Sequence, residues 1–315
     1  MDLFALLRQL VDEGGSDIFL SAGAPPHMKV QDVTRPIGTQ SLTGGEIRTM
    51  VTTLMSQRQV ALFEAQLECN LGVNVGALGR FRVNVFMQRG EPAAVVRFIP
   101  DRIPTIQELG LPKELEALSM QKHGLIVLAG PAGCGKSTTI AAMLDHRNAN
   151  AGGHILTIED PIEFVHLHKK CVVDQREVGV DTLSLADALR NALREDPDVV
   201  MLGEIRSREA MQYAIGFAET GHLCLSTLHA EDAAKGIDRM VSFYPADARP
   251  QILMDLALNL RAVLSQRLVV GEGGKRKVAV DVLINTPDIA ELLRTGDIEK
   301  VRASAQKYAW MGAAA

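Results

Sequence analysis

From residue 124 the chain runs GLIVLA, then Gly130-Pro131-Ala132-Gly133-Cys134-Gly135-Lys136-Ser137, then on through TTIAAML. These read as strand, loop and helix, and the loop fits G-x-x-x-x-G-K-[ST]. No other segment constrains the fold as much. The strand must end where the helix begins, so the loop lies at the carboxyl edge of a sheet. Its glycines let backbone N–H groups turn toward one centre and cradle phosphate oxygens at the helix N-terminus. Lys136 is placed to reach the β- and γ-phosphates of a nucleotide, and the Ser137 hydroxyl to ligate Mg²⁺. Gly130, Gly133, Cys134, Gly135, Lys136, Ser137 and Thr138 are the predicted nucleotide-binding residues. Cys134 occupies a variable loop position and carries no predicted chemistry.

The same alternation continues down the chain. Residues 155–158, 199–202 and 222–228 are short apolar runs. Leu185, Ala188, Leu189, Ala192 and Leu193 form a helical stripe, and Ala210, Tyr213, Ala214 and Phe217 form another. This predicts an α/β domain at 123–315, a parallel sheet covered by helices. Residues 1–100 read differently. A helix carrying Leu3, Leu6, Leu7 and Leu10 ends at Gly14-Gly15. Strand-like runs follow at 18–20, 28–30, 73–75, 81–86 and 93–99, with a helical stretch at 43–63 and a turn at 88–92. A smaller domain over 1–100 is expected. Between the two, Pro100, Pro104 and Pro112 surround the short helical segment LPKELEAL, and 101–122 reads as a linker.

Composition narrows the function classes. The chain has 315 residues, 47% hydrophobic and 23% charged, which is ordinary for a globular protein. Lys+Arg 33 against Asp+Glu 38 gives a net charge of −5, and residues 1–100 hold nine charges of each sign, so the acidic excess lies beyond them. With one Trp and three Tyr, this argues against a nucleic-acid partner. No apolar run approaches the ~18 residues of a membrane span. The opening MDLFALLRQLVDEGGSD lacks the features of a signal peptide, so a cytoplasmic protein is expected. Cys69, Cys134, Cys171 and Cys224 are scattered without a C-x-x-C pair, which indicates neither a zinc site nor a disulfide framework.

Hydrolysis of a nucleoside triphosphate needs an in-line water and a metal held by oxygen ligands. Two predicted strands end in acids, Thr157-Ile158-Glu159-Asp160-Pro161-Ile162-Glu163 and Val199-Val200-Met201-Leu202-Gly203-Glu204. In a parallel sheet both ends face the phosphate-loop side, so both groups can converge on one nucleotide. Gly203 stands where a metal-binding Asp commonly closes such a strand. The metal is then expected to be held more through water, with Glu204 behind it. Glu159 alone also fits a helix cap or a solvated loop. His222 and His229 bracket a predicted strand, and seven extended residues set them ~23 Å apart on opposite faces. At most one contacts the nucleotide, and the two cannot share a metal. Arg80, Arg82 and Asn84 share one strand face, with Arg97 on the following strand. They form either a solvated sheet face or arginines offered to a phosphate across a domain or subunit boundary.

In order, the phosphate loop, TIEDPIEFVH, DPDVVMLGEIR and AETGHLCLSTLHA resemble the Walker A, Asp box, Walker B and His box of the secretion-type ATPases of type II/IV secretion and type IV pili. The resemblance covers nearly the whole chain, including GRFRVNVF. The short N-terminal region and the absence of a tetracysteine segment resemble the pilus retraction ATPases (PilT/PilU type). QREVGVDT, GEIRSRE and ETGHLCLSTLHA are closer to the PilU branch. The resemblance implies a homo-hexameric ring with a PAS-like N-terminal domain and a RecA-like domain, hydrolysing ATP with Mg²⁺ between neighbouring subunits. It implies that Lys136 and Ser137 hold phosphate and metal and that Glu163 is the general base. It implies Glu204 as the Walker B acid on the metal, and His222 and His229 as the His-box pair. Arg82, Arg97 and, less closely, Arg80 resemble arginines sent into a nucleotide site. An inner-membrane platform protein and a paralogous retraction ATPase are the implied partners, with the chain at the cytoplasmic face of the inner membrane.

One segment departs from the pattern. Asp288-Ile289-Ala290-Glu291-Leu292-Leu293-Arg294 replaces the PilT-type AIRNLIRE, and the chain ends soon after Trp310. That leaves independent retraction in question and introduces an accessory motor as an alternative. Two further functions stand beside the ATP-driven motor. One is a weakly hydrolysing ring subunit, motivated by Gly203. The other is a RecA-like nucleic-acid motor, which the acidic balance disfavours.

Overall fold

The computed structural model describes residues 2–31, 33–99, 102–270, 276–305 and 309–311. The chain divides into two compact units, Met1–Arg102 and Ile103–Ala315.

In the first unit, α1 (Leu3–Asp12) starts at Asp2, whose carboxylate accepts from the Phe4 N–H, and buries Leu3, Leu6, Leu7 and Leu10 on one stripe. Strands β1 (Asp17–Leu20), β2 (His27–Val30) and β3 (Val33–Pro36) follow. The stretch expected to be one helix is two, α2 (Gly44–Thr52) and α3 (Gln57–Gln66). Thr43 with Glu46 and Ser56 with Gln59 each close a capping box, so the second helix restarts at Ser56. Then come β4 (Glu68–Asn74), β5 (Arg80–Gln88) and β6 (Glu91–Ile99). The expected turn over 88–92 is tighter than read. Met87 pairs with Pro92 and Gln88 with Glu91, leaving Arg89 and Gly90 at φ 51° and 80°. The sheet order is β3-β2-β1-β6-β5-β4, antiparallel throughout.

The second unit is α/β, as expected. Its elements are α4 (Glu114–Ser119), β7 (Gly124–Ala129), α5 (Lys136–Asn150), β8 (Gly153–Glu159) and β9 (Cys171–Glu177). Next are α6 (Leu185–Ala192), β10 (Val199–Leu202), α7 (Arg208–Glu219), β11 (Leu223–Leu228) and α8 (Ala233–Ser242). Last come α9 (Arg249–Asn259), β12 (Leu260–Val270), β13 (Arg276–Ile284), α10 (Pro287–Thr295), α11 (Ile298–Ala305) and β14 (Ala309–Met311). The order is β14-β13-β12-β7-β11-β10-β8-β9. From β12 to β9 every neighbour is parallel, while β13 and β14 run antiparallel. β7 is covered on both faces: Leu125, Val127 and Ala129 enter one core, Ile126 and Leu128 the other.

The expected linker is mostly part of this second unit. Ile106, Leu111, Leu115 and Leu118 are buried against β7, α5 and their neighbours, so the division falls at Arg102 instead of being spread over 101–122. Pro104 and Pro112 flank the turn over 106–110 within this packed segment. Residues 100 and 101 lie outside the described residues.

Candidate nucleotide site

β7 ends at Ala129, and the chain turns through the glycine-rich loop into α5, whose first residue is Lys136. Gly135 precedes the helix at φ 90°, a left-handed conformation that L side chains rarely adopt. A Cβ on Gly130 would lie 2.4 Å from the Gln266 carbonyl oxygen, so β12 backs directly onto the loop. Lys136 is buried, and its Nζ donates to the Gly130 and Pro131 carbonyls at 2.8 Å each. This folds the ammonium over the loop it belongs to. Cys134 is buried, and its carbonyl accepts from the Gln266 side-chain amide at 2.7 Å. Thr139 Oγ1 donates to the same amide's oxygen at 2.8 Å. Ser137 and Thr138 are half-buried in the first turn of the helix. A loop of this shape, with a lysine against it and a free helix N-terminus, fits the phosphates of a nucleotide. The Ser137 hydroxyl and nearby carboxylates are oxygen donors of the kind Mg²⁺ takes.

The carboxyl ends of β7, β11, β10 and β8 are neighbours, and each carries part of the predicted site. After β8 the chain leaves the sheet as an irregular loop through residue 170. Ser137, Glu159, Glu163 and His166 line one small space beside this loop. Glu163 is exposed. Glu159 is buried and accepts from Thr157 Oγ1 at 2.7 Å and Gln175 Nε2 at 3.1 Å. Burial pushes its carboxyl up to about 7, against the lowering effect of those hydrogen bonds. Burial likewise holds His166 down at about 4. His166 Nδ1 is buried without a hydrogen-bond partner.

Glu204 follows β10. Its Oε1 lies 3.1 Å from His229 Nε2, and its Oε2 accepts from Arg206 Nε at 2.8 Å. Gly203 is held between strands: its N–H donates to the Ile158 carbonyl at 2.8 Å and its carbonyl accepts from Thr227 Oγ1 at 2.6 Å. A Cβ on Gly203 would meet the Glu159 Cα and the Ile158 carbonyl oxygen at 3.4 Å. His229 thus sits on the phosphate-loop side of the sheet. His222 precedes β11, at the opposite edge. Its Nδ1 lies 3.1 Å from the Phe217 carbonyl oxygen and 3.0 Å from Thr220 Oγ1, and its ring meets Phe217 edge-on.

In the first unit Arg82 pairs in register with Arg97, Arg97 with Asp17, and Asn84 with Asn70. Asp17 is buried and accepts from Arg97 Nε at 2.7 Å. Arg82, Arg97, Asn70 and Asn84 line an open cavity of about 440 Å³ on the sheet face. Arg80 pairs with Ile99 near the end of that ladder.

A family model described as Type II/IV secretion system protein matches residues 5–293. The chain belongs to the type II/IV secretion ATPase family. Within it the chain groups with the type IV pilus retraction ATPases. The type IV pilus ATPase PilU of Pseudomonas aeruginosa is 47% identical over 303 residues, covering 96% of this chain and 79% of PilU. The PilT retraction ATPase of the same organism is 42% identical over 312 residues, covering 99% and 91%. A crystal structure of the pilus retraction motor PilT with bound ADP superimposes with a TM-score of 0.93 at 40% identity, covering 98% of this chain and 90% of that one.

Two groups that organise this secretion ATPase's site were not apparent from its motifs. Gln266 lies in β12, 132 residues from the Cys134 carbonyl it braces. The loop carrying Glu163 is held by side chains from outside it. Ile162 N–H donates to Glu177 Oε2 at 3.2 Å, and Asn148 Nδ2 to the Leu167 carbonyl at 2.6 Å. The Lys169 and Cys171 N–H groups donate to Asn148 Oδ1 at 3.1 and 3.2 Å. Single amides inside strands and helices have no sequence pattern of their own. A buried polar residue among apolar ones, as in VLSQRLVV, is the faint signal that could have found Gln266.

Proposed function

We propose that this chain is the ATP-hydrolysing subunit of a hexameric ring that powers type IV pilus retraction, working beside a paralogous retraction ATPase. What carries the catalytic part is the meeting of Ser137 with Glu163 around one space beside the phosphate loop. The phosphate loop and Lys136 hold the β- and γ-phosphates, and Ser137 with Glu204 stands on the Mg²⁺ side, the metal offsetting charge on the transferring phosphoryl group. With Gly203 in place of an acid, Glu204 would be the carboxylate at this strand end that helps hold a bound Mg²⁺. The Glu163 carboxylate takes the proton of the attacking water, and ADP and phosphate leave. His229 holds Glu204 and is the histidine within reach of nucleotide-linked change. Arg82 and Arg97 meet the nucleotide of a neighbouring subunit, so ATP and ADP differ in how firmly subunits are drawn together. A platform protein of the inner membrane receives the resulting motion at the cytoplasmic face.

Glu163→Gln is expected to lower the turnover number about 10²–10⁴-fold, the usual worth of a positioned base, while ADP still binds. Near-normal ATPase activity in that variant refutes the assignment. The accessory role is tested with Lys136→Ala in cells, scoring pilus retraction with the partner ATPase present and absent. A weakly hydrolysing ring subunit is the second reading. It is favoured by Gly203 and by Glu204 already being engaged by Arg206 and His229. Slow turnover by purified rings that the partner does not raise would select it.

A further inference from the structure

The residues that hold the Glu163 loop are not equivalent. Gln175 lies on β9, in register with Thr157 of β8. Its Nε2 donates to the Phe164 carbonyl at 2.8 Å and to Glu159 Oε1 at 3.1 Å. Its Oε1 accepts from the His166 N–H at 2.7 Å. One planar amide thus grips a carbonyl and an N–H two residues apart, as a neighbouring strand would. The first residue it grips follows Glu163 directly. Its remaining hydrogen goes to Glu159, which lines the same small space as Glu163. Glu159 and Glu163 line one space, and Gln175 bonds to the first and to the backbone that follows the second. Residues 160–170 contain no regular secondary structure, so no ladder of backbone bonds does this work.

We infer that Gln175 is a positioning residue for hydrolysis, setting the backbone that follows Glu163 so that its carboxylate faces the attacking water. This rests on the reading of Glu163 as the general base. The chemistry requires an amide. Leucine has the bulk but neither donor nor acceptor. Glutamate keeps the acceptor for His166 but turns a carboxylate toward the Phe164 carbonyl and toward Glu159. Both substitutions release the Phe164 carbonyl, and a displacement of the base by about 1 Å can cost about 10²-fold in rate. The phosphate loop shares no hydrogen bond with Gln175, so nucleotide affinity is not expected to follow.

The test compares full-length Q175L and Q175E with the native chain, with E163Q, and with the double variant Q175L/E163Q. Fluorescent ADP titration gives affinity, steady-state ATPase assays give kcat and KM, and thermal melts report folding. The expected result is kcat lowered at least ~10-fold in both single variants, with ADP affinity and KM within ~3-fold of native. The double variant should be no slower than E163Q, because a residue that acts through Glu163 has nothing left to position. If Q175L fails to fold, Q175E carries the same comparison. Native kcat in the folded variants overturns the inference. So does a double variant slower than E163Q by the full factor of the single change, or equal losses of kcat and ADP affinity. An active E163Q defeats the base assignment itself, whereas an inactive E163Q beside active Gln175 variants defeats this inference alone.

Discussion

Arg82 stands directly opposite Arg97 on the antiparallel strands β5 and β6, and Arg97 is in turn bonded to the buried carboxylate of Asp17 at 2.7 Å. Like charges facing each other across a ladder destabilise a sheet by roughly 0.2–1 kcal/mol. Asp17 offsets that repulsion and leaves Arg82 without a hydrogen-bond or ion-pair partner among the described residues. Asp17→Asn should therefore lower stability by about 1 kcal/mol, and Arg82→Ala added to it should restore part of the loss. Thermal melts of the two variants decide this; equal melting points for both would contradict it. Arg82→Ala alone should melt like the native chain and still lower ATPase activity at least ~10-fold in assembled rings.

Gln266 braces the phosphate loop from behind, and its loss leaves a buried carbonyl at Cys134 and a buried hydroxyl at Thr139 without their partner. Such losses cost about 1–3 kcal/mol each. Gln266→Leu should weaken ADP binding about 10-fold or more. Thr139→Val removes the hydroxyl but spares the bond to the loop, and should weaken binding much less. Titration with a fluorescent ADP analogue separates the two.

Two buried groups beside the Asp box pull in opposite directions with pH. Glu159 is raised from 4.5 to about 7 by burial, so the fold holds its proton more tightly than the unfolded chain. Its contribution is complete below pH 4.5 and is lost as pH rises toward 7. His166 is lowered from 6.5 to about 4 by burial, so its contribution is complete above pH 6.5 and is lost as pH falls toward 4. Each is on the order of 3 kcal/mol across its full window. Without nucleotide, Glu159→Gln should make the melting temperature climb with pH between about 4.5 and 6.5 more steeply than in the native chain. His166→Phe should make it fall over the same range. Parallel profiles for all three proteins would refute the assignment.

The two histidines of the strand pair should behave differently. His222 packs on Phe217 at the edge of the sheet away from the loop. His222→Ala should cost stability and leave ADP affinity within ~2-fold of native, as expected for a lost packing contact. His229→Ala removes a partner of Glu204 and should lower kcat about 10-fold with the melting temperature nearly unchanged. Reversed effects in the two variants would show that the strand was read the wrong way round.

Much of this architecture was legible because it is local. The phosphate loop is a strand, a turn and a helix in one continuous segment, and its glycines announce their backbone conformation. The spacing of His222 and His229 was legible for the same reason, since a strand has a fixed rise. What escaped was long-range or weakly patterned. β9, reading CVVDQRE, sits at a sheet edge with mixed burial and gave no clean alternation. Its Gln175 stands in the sequence only as the first residue of QREVGVDT, a segment that carries a family resemblance and no chemistry of its own. The supposed linker misled because Pro104 and Pro112 suggest open chain, while Ile106, Leu111, Leu115 and Leu118 are spaced irregularly and find their core only in three dimensions. The break between α2 and α3 was missed although Ser56 and Gln59 announce it.

α5 is anchored at both ends. Its first residue bends over the phosphate loop. Twelve residues later, about 18 Å along the axis, Asn148 grips the loop that follows Glu163, while Arg147 donates to the Ser119 and Gln121 carbonyls at 3.2 and 2.8 Å. A hydrogen-bonded helix resists stretching, so a change at the phosphates reaches the far end as displacement of the whole rod. Two departures from the helix then move in step: the segment that leads back toward residue 103 and the segment that carries Glu163. A spectroscopic label on the exposed Asn150 would register occupancy of a site it never touches.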